Sequence, residues 1–278
     1  METDVMQTSL QNIKLLEGGY CWQNRYFTGC RSFRFRRFPA SFLYFEHPTH
    51  GAAVIDTGYS PRFFSATQTF PERFYRWMTP VFGQSGFMRP DFFAGHGIDG
   101  TRISSVFISH LHGDHIAGVC YYPKAEIVCR KLSFDYYRNL SRIQQVRHGF
   151  LQTLLSQEER QRFHFVDEDR WFQGDDMLEE FQVRDFWGDG SLLLVDLPGH
   201  APGHTGFLLR TVTTPVFFVA DAYWDRGILK SGRSIPFVSC WIQHDHVRYC
   251  QTQQKIRKLL DVSEIRIIAT HCLENPVI

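Results

Sequence analysis

The sequence is short of several features that would fix its class at once. No run of about 18 apolar residues occurs, the length a helix needs to cross a bilayer, and positions 1–20 hold no basic stretch followed by an apolar one. No transmembrane helix or signal peptide is therefore expected, and the expected location is the cytoplasm. There is no Cys-x-x-Cys pair. The seven cysteines (21, 30, 120, 129, 240, 250, 272) are odd in number and scattered, which reads as reduced thiols and excludes a disulfide framework. Net charge is only +1 with histidine neutral, and no long basic stretch exists, so neither nucleic acid nor a membrane is expected as a partner. No Gly-x-Ser-x-Gly elbow is present, Gly83-Gln84-Ser85-Gly86 being a fragment of one, and no Gly-x-x-x-x-Gly-Lys loop occurs. Repeats, low-complexity segments and linkers are missing too. With 43% hydrophobic and 21% charged residues in 278, a sizeable core is available, and one domain over 1–278 is favoured.

What is present is a series of short apolar runs between turn residues. Positions 1–30 show no clear pattern. Arg31-Ser32-Phe33-Arg34-Phe35-Arg36-Arg37-Phe38 partly alternates, which predicts a strand with phenylalanines inward and arginines solvated; an anion-binding strip is the alternative. Runs 40–45 and 52–55 are strands flanking a turn region, and the second ends at Asp56-Thr57-Gly58. Asp56 there is either a turn residue or an acid that holds a ligand histidine in one tautomer. Residues 60–100 are aromatic and rich in Pro and Gly, with a short helix in 71–80 and loop over 83–100. This insert predicts a flap or pocket wall, the alternative being a homodimer contact. Further on, 116–122 should start a helix, and 132–161 should be mostly helical, capped by Ser133 and broken near His148-Gly149. Strands are expected at 103–109, 126–129, 163–166, 181–185, 192–196, 206–210, 216–219 and 265–269, and a helix at 245–260.

One stretch stands apart from this background. His110-Leu111-His112-Gly113-Asp114-His115 packs three imidazoles and a carboxylate into six positions, a composition suited to binding a cation and unsuited to a core. It begins where the strand at 103–109 stops. In an extended segment, residues i and i+2 project to one side, so His110 and His112 can grip one ion. Gly113 lets the backbone turn, and Asp114 and His115 open the next helix.

Three more strands run into metal-type ligands. Leu192-Leu193-Leu194-Val195-Asp196-Leu197 leads to Pro198-Gly199-His200-Ala201-Pro202-Gly203-His204; 215–220 leads to Asp221; 265–270 leads to His271. Ligands at four strand ends suggest one rim of a rigid sheet. The set His110, His112, Asp114, His115, His200, Asp221 and His271 exceeds what one four-coordinate ion takes. It suits two metals about 3.5–4 Å apart, bridged by a carboxylate and a hydroxide. Zn2+ is the default for such ligands, with Mn2+, Fe2+ or Co2+ compatible. Of the two histidines in the Pro-Gly-His repeat, His200 is taken as ligand and His204 as a structural partner. His244-Asp245-His246 imitates a ligand motif, but Asp245 at a helix start is explained by capping. Cys272 needs no role beyond a buried thiol.

Asp56-Thr57-Gly58, Ser109 to Gly118, Leu197 to Gly206, Ala220-Asp221-Ala222 and Thr270-His271 resemble, in order and spacing, the motifs of the metallo-β-lactamase superfamily across about residues 40–275. The resemblance implies an α/β fold, a four-layer αββα sandwich with the metals at one edge. Within that family the chain looks most like the hydrolases related to N-acyl-homoserine lactonases. It implies His110, His112 and His200 on one metal, Asp114, His115 and His271 on the other, and Asp221 bridging. It also implies a bridging hydroxide that opens a small lactone or related ester, with Asp114 passing the proton to the leaving group. Those enzymes commonly carry a tyrosine three residues after the bridging Asp. Here that position is Trp224, with Tyr223 before it, and both are candidates for contacting the small-molecule substrate. The rival readings are a phosphodiesterase or RNA-processing nuclease, and a thioester or β-lactam hydrolase of the same fold.

Overall fold

Alternating side chains build two sheets that share one core. The computed structural model describes residues 9–82, 92–166, 168–262 and 264–278. The strands β1 (Gln11–Asn24), β2 (Phe35–His47), β3 (Gly51–Ile55), β4 (Val81–Phe82), β5 (Ile103–Phe107), β6 (Glu126–Arg130) and β7 (Phe163–Val166) form one sheet in the order β4-β1-β2-β3-β5-β6-β7. A second sheet, in the order β13-β12-β11-β10-β9-β8, comprises β8 (Phe172–Gln173), β9 (Gln182–Asp185), β10 (Leu192–Asp196), β11 (Thr205–Leu209), β12 (Val216–Phe218) and β13 (Arg266–Ile268).

Successive residues on a strand point to opposite faces, and each sheet uses both. Along β2, Leu43 and Phe45 face the second sheet, where they meet Phe107, Phe207 and Phe218. Phe42 and Tyr44 face outward, toward Phe63 of the helix Pro61–Ala66 and Tyr137 of the helix Lys131–Arg138. Along β10, Leu192 and Leu194 point between the sheets. Leu193 and Val195 point outward, under Ile256 and Leu259 of the helix His246–Leu259. Burying one such side chain stabilises the fold by about 1.5–3 kcal/mol, so both faces of both sheets hold the four layers together. This is the αββα architecture expected.

Strand direction decides where the chemistry collects. β3, β5, β6 and β7 run parallel, and β12 runs parallel to β13. β10 reaches the direction of β12 through two antiparallel steps across β11. The carboxyl ends of β3 and β5, and those of β10, β12 and β13, therefore emerge together within each sheet.

Several local expectations change. Part of the unassigned stretch 1–30 is the long strand β1, paired along most of β2. In the Arg/Phe strip only Phe38 turns inward; Phe33 and Phe35 are exposed, while Arg36 pairs with Asp225 at 3.4 Å and Arg37 with Glu17. Arg36 and Arg37 are held by carboxylates that sequence distance hides, while Arg31 and Arg34 are exposed as expected. Ser133 caps nothing: it is buried in the first turn of its helix and donates to the Pro202 carbonyl at 2.8 Å. Capping boxes occur instead at Ser141 and Ser156. The helix after the histidine cluster is one turn, Gly113–Ile116, followed by a 3-10 turn at Val119–Tyr121. Of the loop at 83–100, residues 83–91 lie outside the described residues, and Phe92–Gly95 is a helical turn. Gly95-His96-Gly97-Ile98-Asp99-Gly100 has the Gly-x-Gly-x-x-Gly spacing but precedes β5; it does not link a strand to a helix, so it lacks the context of a dinucleotide fingerprint. Asp245 caps His246–Leu259 by accepting from the Arg248 amide at 3.0 Å.

Candidate metal centre

Strand ends supply the site, and backbone strain aims two of them. Asp56, after β3, and Ala220, after β12, have φ of 64° and 46°, a region costly for residues with a side chain. Asp56 sits there with its amide donating to Phe107 at 2.7 Å. Its carboxylate accepts from the Ser109 amide and hydroxyl, both at 2.8 Å, and from His115 Nδ1 at 2.7 Å. The turn after Ala220 places Asp221.

Most of the imidazoles are pinned through one nitrogen so that the other faces inward. His110 Nδ1 contacts Ser109 Oγ at 3.0 Å. His200 Nδ1 donates to Gln243 Oε1 at 2.9 Å, and His271 Nδ1 donates to the Pro39 carbonyl at 2.7 Å. His115 Nδ1 is on Asp56. Each leaves Nε2 aimed at the same small volume. There His271 Nε2 lies 3.1 Å from Asp114 Oδ2 and 3.2 Å from Asp221 Oδ2. His200 Nε2 lies 3.1 Å from His112 Nδ1 and 3.3 Å from Asp221 Oδ2. His204 differs. Its Nδ1 donates to the Leu197 carbonyl at 2.9 Å and its Nε2 accepts the Asp221 amide at 3.3 Å, so both nitrogens are used and it positions Asp221.

Electrostatics separates the ligands. Burial, helped by neighbouring imidazoles, holds His110 and His112 well below the usual range, and burial also lowers His200; all three stay neutral, the form that ligates. Burial takes His204 down to about 3. Burial also opposes charge on His115 and His271. Nearby carboxylates outweigh it, Asp56 foremost for His115 and Asp221 for His271, and hold both well above the usual range. Asp114 and Asp221 lie below the carboxylate range despite burial, because His115 and His271 face them.

The residues fit bound cations. His110 Nε2 is buried without a hydrogen-bond partner, and His115 Nε2 and Asp221 Oδ1 face each other at 3.4 Å without forming a hydrogen bond, an arrangement that suits a cation held among them. The donors fall into two sets, His110, His112, His200 and Asp221, and Asp114, His115 and His271, with the atoms of each set within 4.8 Å of one another. The histidine and carboxylate mixture suits divalent ions such as zinc. A third cluster, His47, His50 and Asp189, is otherwise explained. His47 Nδ1 accepts the Thr49 and His50 amides at 3.0 and 3.1 Å, and Nε2 meets Asp189 at 2.9 Å, which ties down the β2–β3 turn.

A cavity of about 660 Å³ opens over the centre. His112, Asp114, His200, Asp221 and His271 form its floor, and Phe38, Phe70, Phe74, Met78, Trp224 and Trp241 are among its mostly apolar walls. A sequence-level model of the Metallo-beta-lactamase superfamily matches residues 36–238. The chain belongs to the metallo-β-lactamase superfamily. Among similar proteins, the N-acyl homoserine lactonase AttM of Azorhizobium caulinodans is 27% identical over 184 residues, covering 63% of this chain and 60% of its own length. The metallo-hydrolase mfmC of Annulohypoxylon moriforme is 32% identical over 154 residues, covering 52% and 38%. The matched stretch thus spans less than two thirds of either relative. A mutant of B. thuringiensis AiiA with N-decanoyl-L-homoserine bound at its active site shares the fold at TM-score 0.68 and 14% identity, covering 96% of this chain and 95% of that one. AidC, a dizinc quorum-quenching lactonase, does so at TM-score 0.64 and 16% identity, covering 97% and 92%.

The geometry brings all seven expected ligands together, and Asp56 and His204 beside them. Trp224 lines the cavity and donates from Nε1 to Asp221 Oδ2 at 3.3 Å. Tyr223 is placed elsewhere. It is buried in the core outside the second sheet and is not among the cavity's lining, because neighbouring positions turn in opposite directions. Sequence reasoning missed Gln243, the Pro39 and Leu197 carbonyls, and Gly149. Gly149 has φ +74°, and a Cβ there would stand 2.7 Å from His112 Cδ2. Only the break expected near His148-Gly149 hinted at it.

Proposed function

We propose that the chain is a hydrolase that uses two divalent ions, Zn2+ by default, to open a small lactone or related ester. The observation that carries this is the cavity: an apolar chamber of drug-like size whose floor is the ligand cluster. His110, His112 and His200 would hold one ion, Asp114, His115 and His271 the other, with Asp221 shared. Ions held there would bring a water's pKa near neutrality and polarise a carbonyl. The chain's own residues do the rest. Asp56, Gln243 and His204 fix His115, His200 and Asp221, so little reorganisation is needed during reaction. Asp114 lines the cavity and is ionised, which suits it to take a proton from the attacking water and return it to the leaving oxygen as the acyl C–O bond breaks. Trp224 offers an apolar face to the substrate. Tyr223 has no part in this reading.

A nuclease would need cations along its binding surface. Among the described lining residues outside the ligands, Arg147 alone carries a charge, which favours an uncharged or weakly charged small molecule. The unpaired thiols support a reducing compartment, and no helix among the described residues is long and apolar enough to cross a membrane. The test is a hydrolysis screen of lactone, phosphodiester, thioester and β-lactam substrates on metal-quantified protein. Lactone or ester turnover is expected to dominate. A preference for phosphodiesters, falling steeply with salt, overturns the reading.

A further inference from the structure

The aromatic insert brings a hydroxyl to the reaction centre. Tyr75, on the helix Glu72–Met78, lines the cavity together with Asp114, Asp221, His271 and Cys21. Ring contacts set its position: Phe63 packs edge-on against Tyr59 at 5.1 Å and against Tyr75 at 5.7 Å. Tyr59 lines the cavity as well. The hydroxyl of Tyr75 has no hydrogen-bond partner among the described residues.

Three other neutral donors on the cavity wall are committed, and Trp241, which also lines it, is 66% exposed at the mouth. Trp224 Nε1 is on Asp221 Oδ2 at 3.3 Å, the Gln23 amide donates to the Met78 carbonyl at 2.9 Å, and the Thr28 hydroxyl to the Arg25 carbonyl at 2.9 Å. A reacting ester needs such a donor. When the acyl C–O bond breaks, its electron pair moves to the leaving oxygen, and a preorganised donor in a water-poor site stabilises that charge strongly. Burial pushes the Tyr75 phenol far up, and the negative charges of Asp114 and Asp221 push it the same way. It therefore keeps its proton and acts as a donor.

Resting on the hydrolase reading above, we propose that Tyr75 donates a hydrogen bond to the leaving oxygen of the substrate, on the Asp114 side of the cavity. The proton that finally reaches that oxygen is the one Asp114 took from the attacking water. Tyr75 steadies the oxygen as charge builds on it and retains its own proton.

The test is Tyr75→Phe, matched to wild type in metal content. Alkyl esters and aliphatic lactones, whose leaving alkoxides are basic, should lose about 100-fold in kcat with little change in KM. A nitrophenyl ester, whose leaving group needs no such help, should lose far less. A uniform loss across leaving groups, or none, overturns the proposal. A binding comparison that needs no turnover runs beside it: 4-hydroxydecanoate against decanoate, by calorimetry. Wild type should prefer the hydroxy acid by about 5-fold, and Tyr75→Phe should erase that preference. If the preference is absent in wild type or survives in the variant, Tyr75 is not the donor. If wild type opens no lactone or ester at all, the hydrolase reading fails separately, and the binding comparison still judges Tyr75.

Discussion

The floor and the mouth of the cavity are built on opposite principles. At the floor, residues from five strand ends meet in a buried volume, and nearly every imidazole spends one nitrogen on a fixed partner. At the mouth, short helices of the insert and of residues 237–240 hold large apolar side chains in solvent: Phe74 is 53% exposed, Trp241 66% and Phe237 75%. The floor is rigid because sheets on both sides position it. The mouth is held by few polar contacts, one of them Arg142 on Glu72 at 2.7 Å. The contrast teaches that metal holding and substrate choice are built separately here, so each should be damaged without the other.

The largest effect is expected at the floor. Asp221→Ala should lose metal, by elemental analysis, and about 10³-fold or more in kcat. Wild-type turnover in that variant would show that Asp221 holds nothing essential. A smaller effect is expected one layer out. His204→Ala removes the partners of the Asp221 amide and the Leu197 carbonyl but no proposed ligand, so metal affinity should fall about 10- to 100-fold in a chelator titration while metal still binds. Were His204→Ala to bind none while His200→Ala still bound metal, the roles of the two histidines would be reversed.

The smallest effect belongs to the mouth. Glu72→Gln should cost about 1 kcal/mol in denaturant unfolding, the Arg142 side of the pair being half exposed, and should raise KM with metal content unchanged. The hydrogen bond from Arg142 lowers the folded pKa of Glu72 below the ordinary 4.5. The pair therefore contributes fully above that value, and its contribution disappears as pH falls through the folded pKa. Wild type and variant should converge in stability in acid. A gap that stays constant into acid, or a variant that loses metal, would break the separation of floor from mouth.

The site was legible in sequence where ligands crowd a short stretch or end an apolar run. His110 to His115 announce themselves by composition, and His200, Asp221 and His271 by following strands. Less legible was anything that depends on a partner far along the chain. The hydroxyl of Ser133 looks like a cap until Pro202 lies beside it, and the Arg31–Phe38 strip looks solvated until Asp225 and Glu17 are found against it. The partners of His200 and His271, Gln243 and the Pro39 carbonyl, carry no local pattern at all.

By itself the sequence determined the chemistry that this chain can hold: which side chains, at which strand ends. Composition and periodicity are local quantities, and metal ligands advertise both. Only the tertiary structure engaged both nitrogens of His204 with Leu197 and Asp221, took Tyr223 into the core while leaving Trp224 on the cavity wall, and turned an aromatic insert of unknown purpose into a wall that carries Tyr75. Those outcomes depend on which way a side chain points once strands from distant parts of the chain have paired, and no one-dimensional pattern encodes that direction.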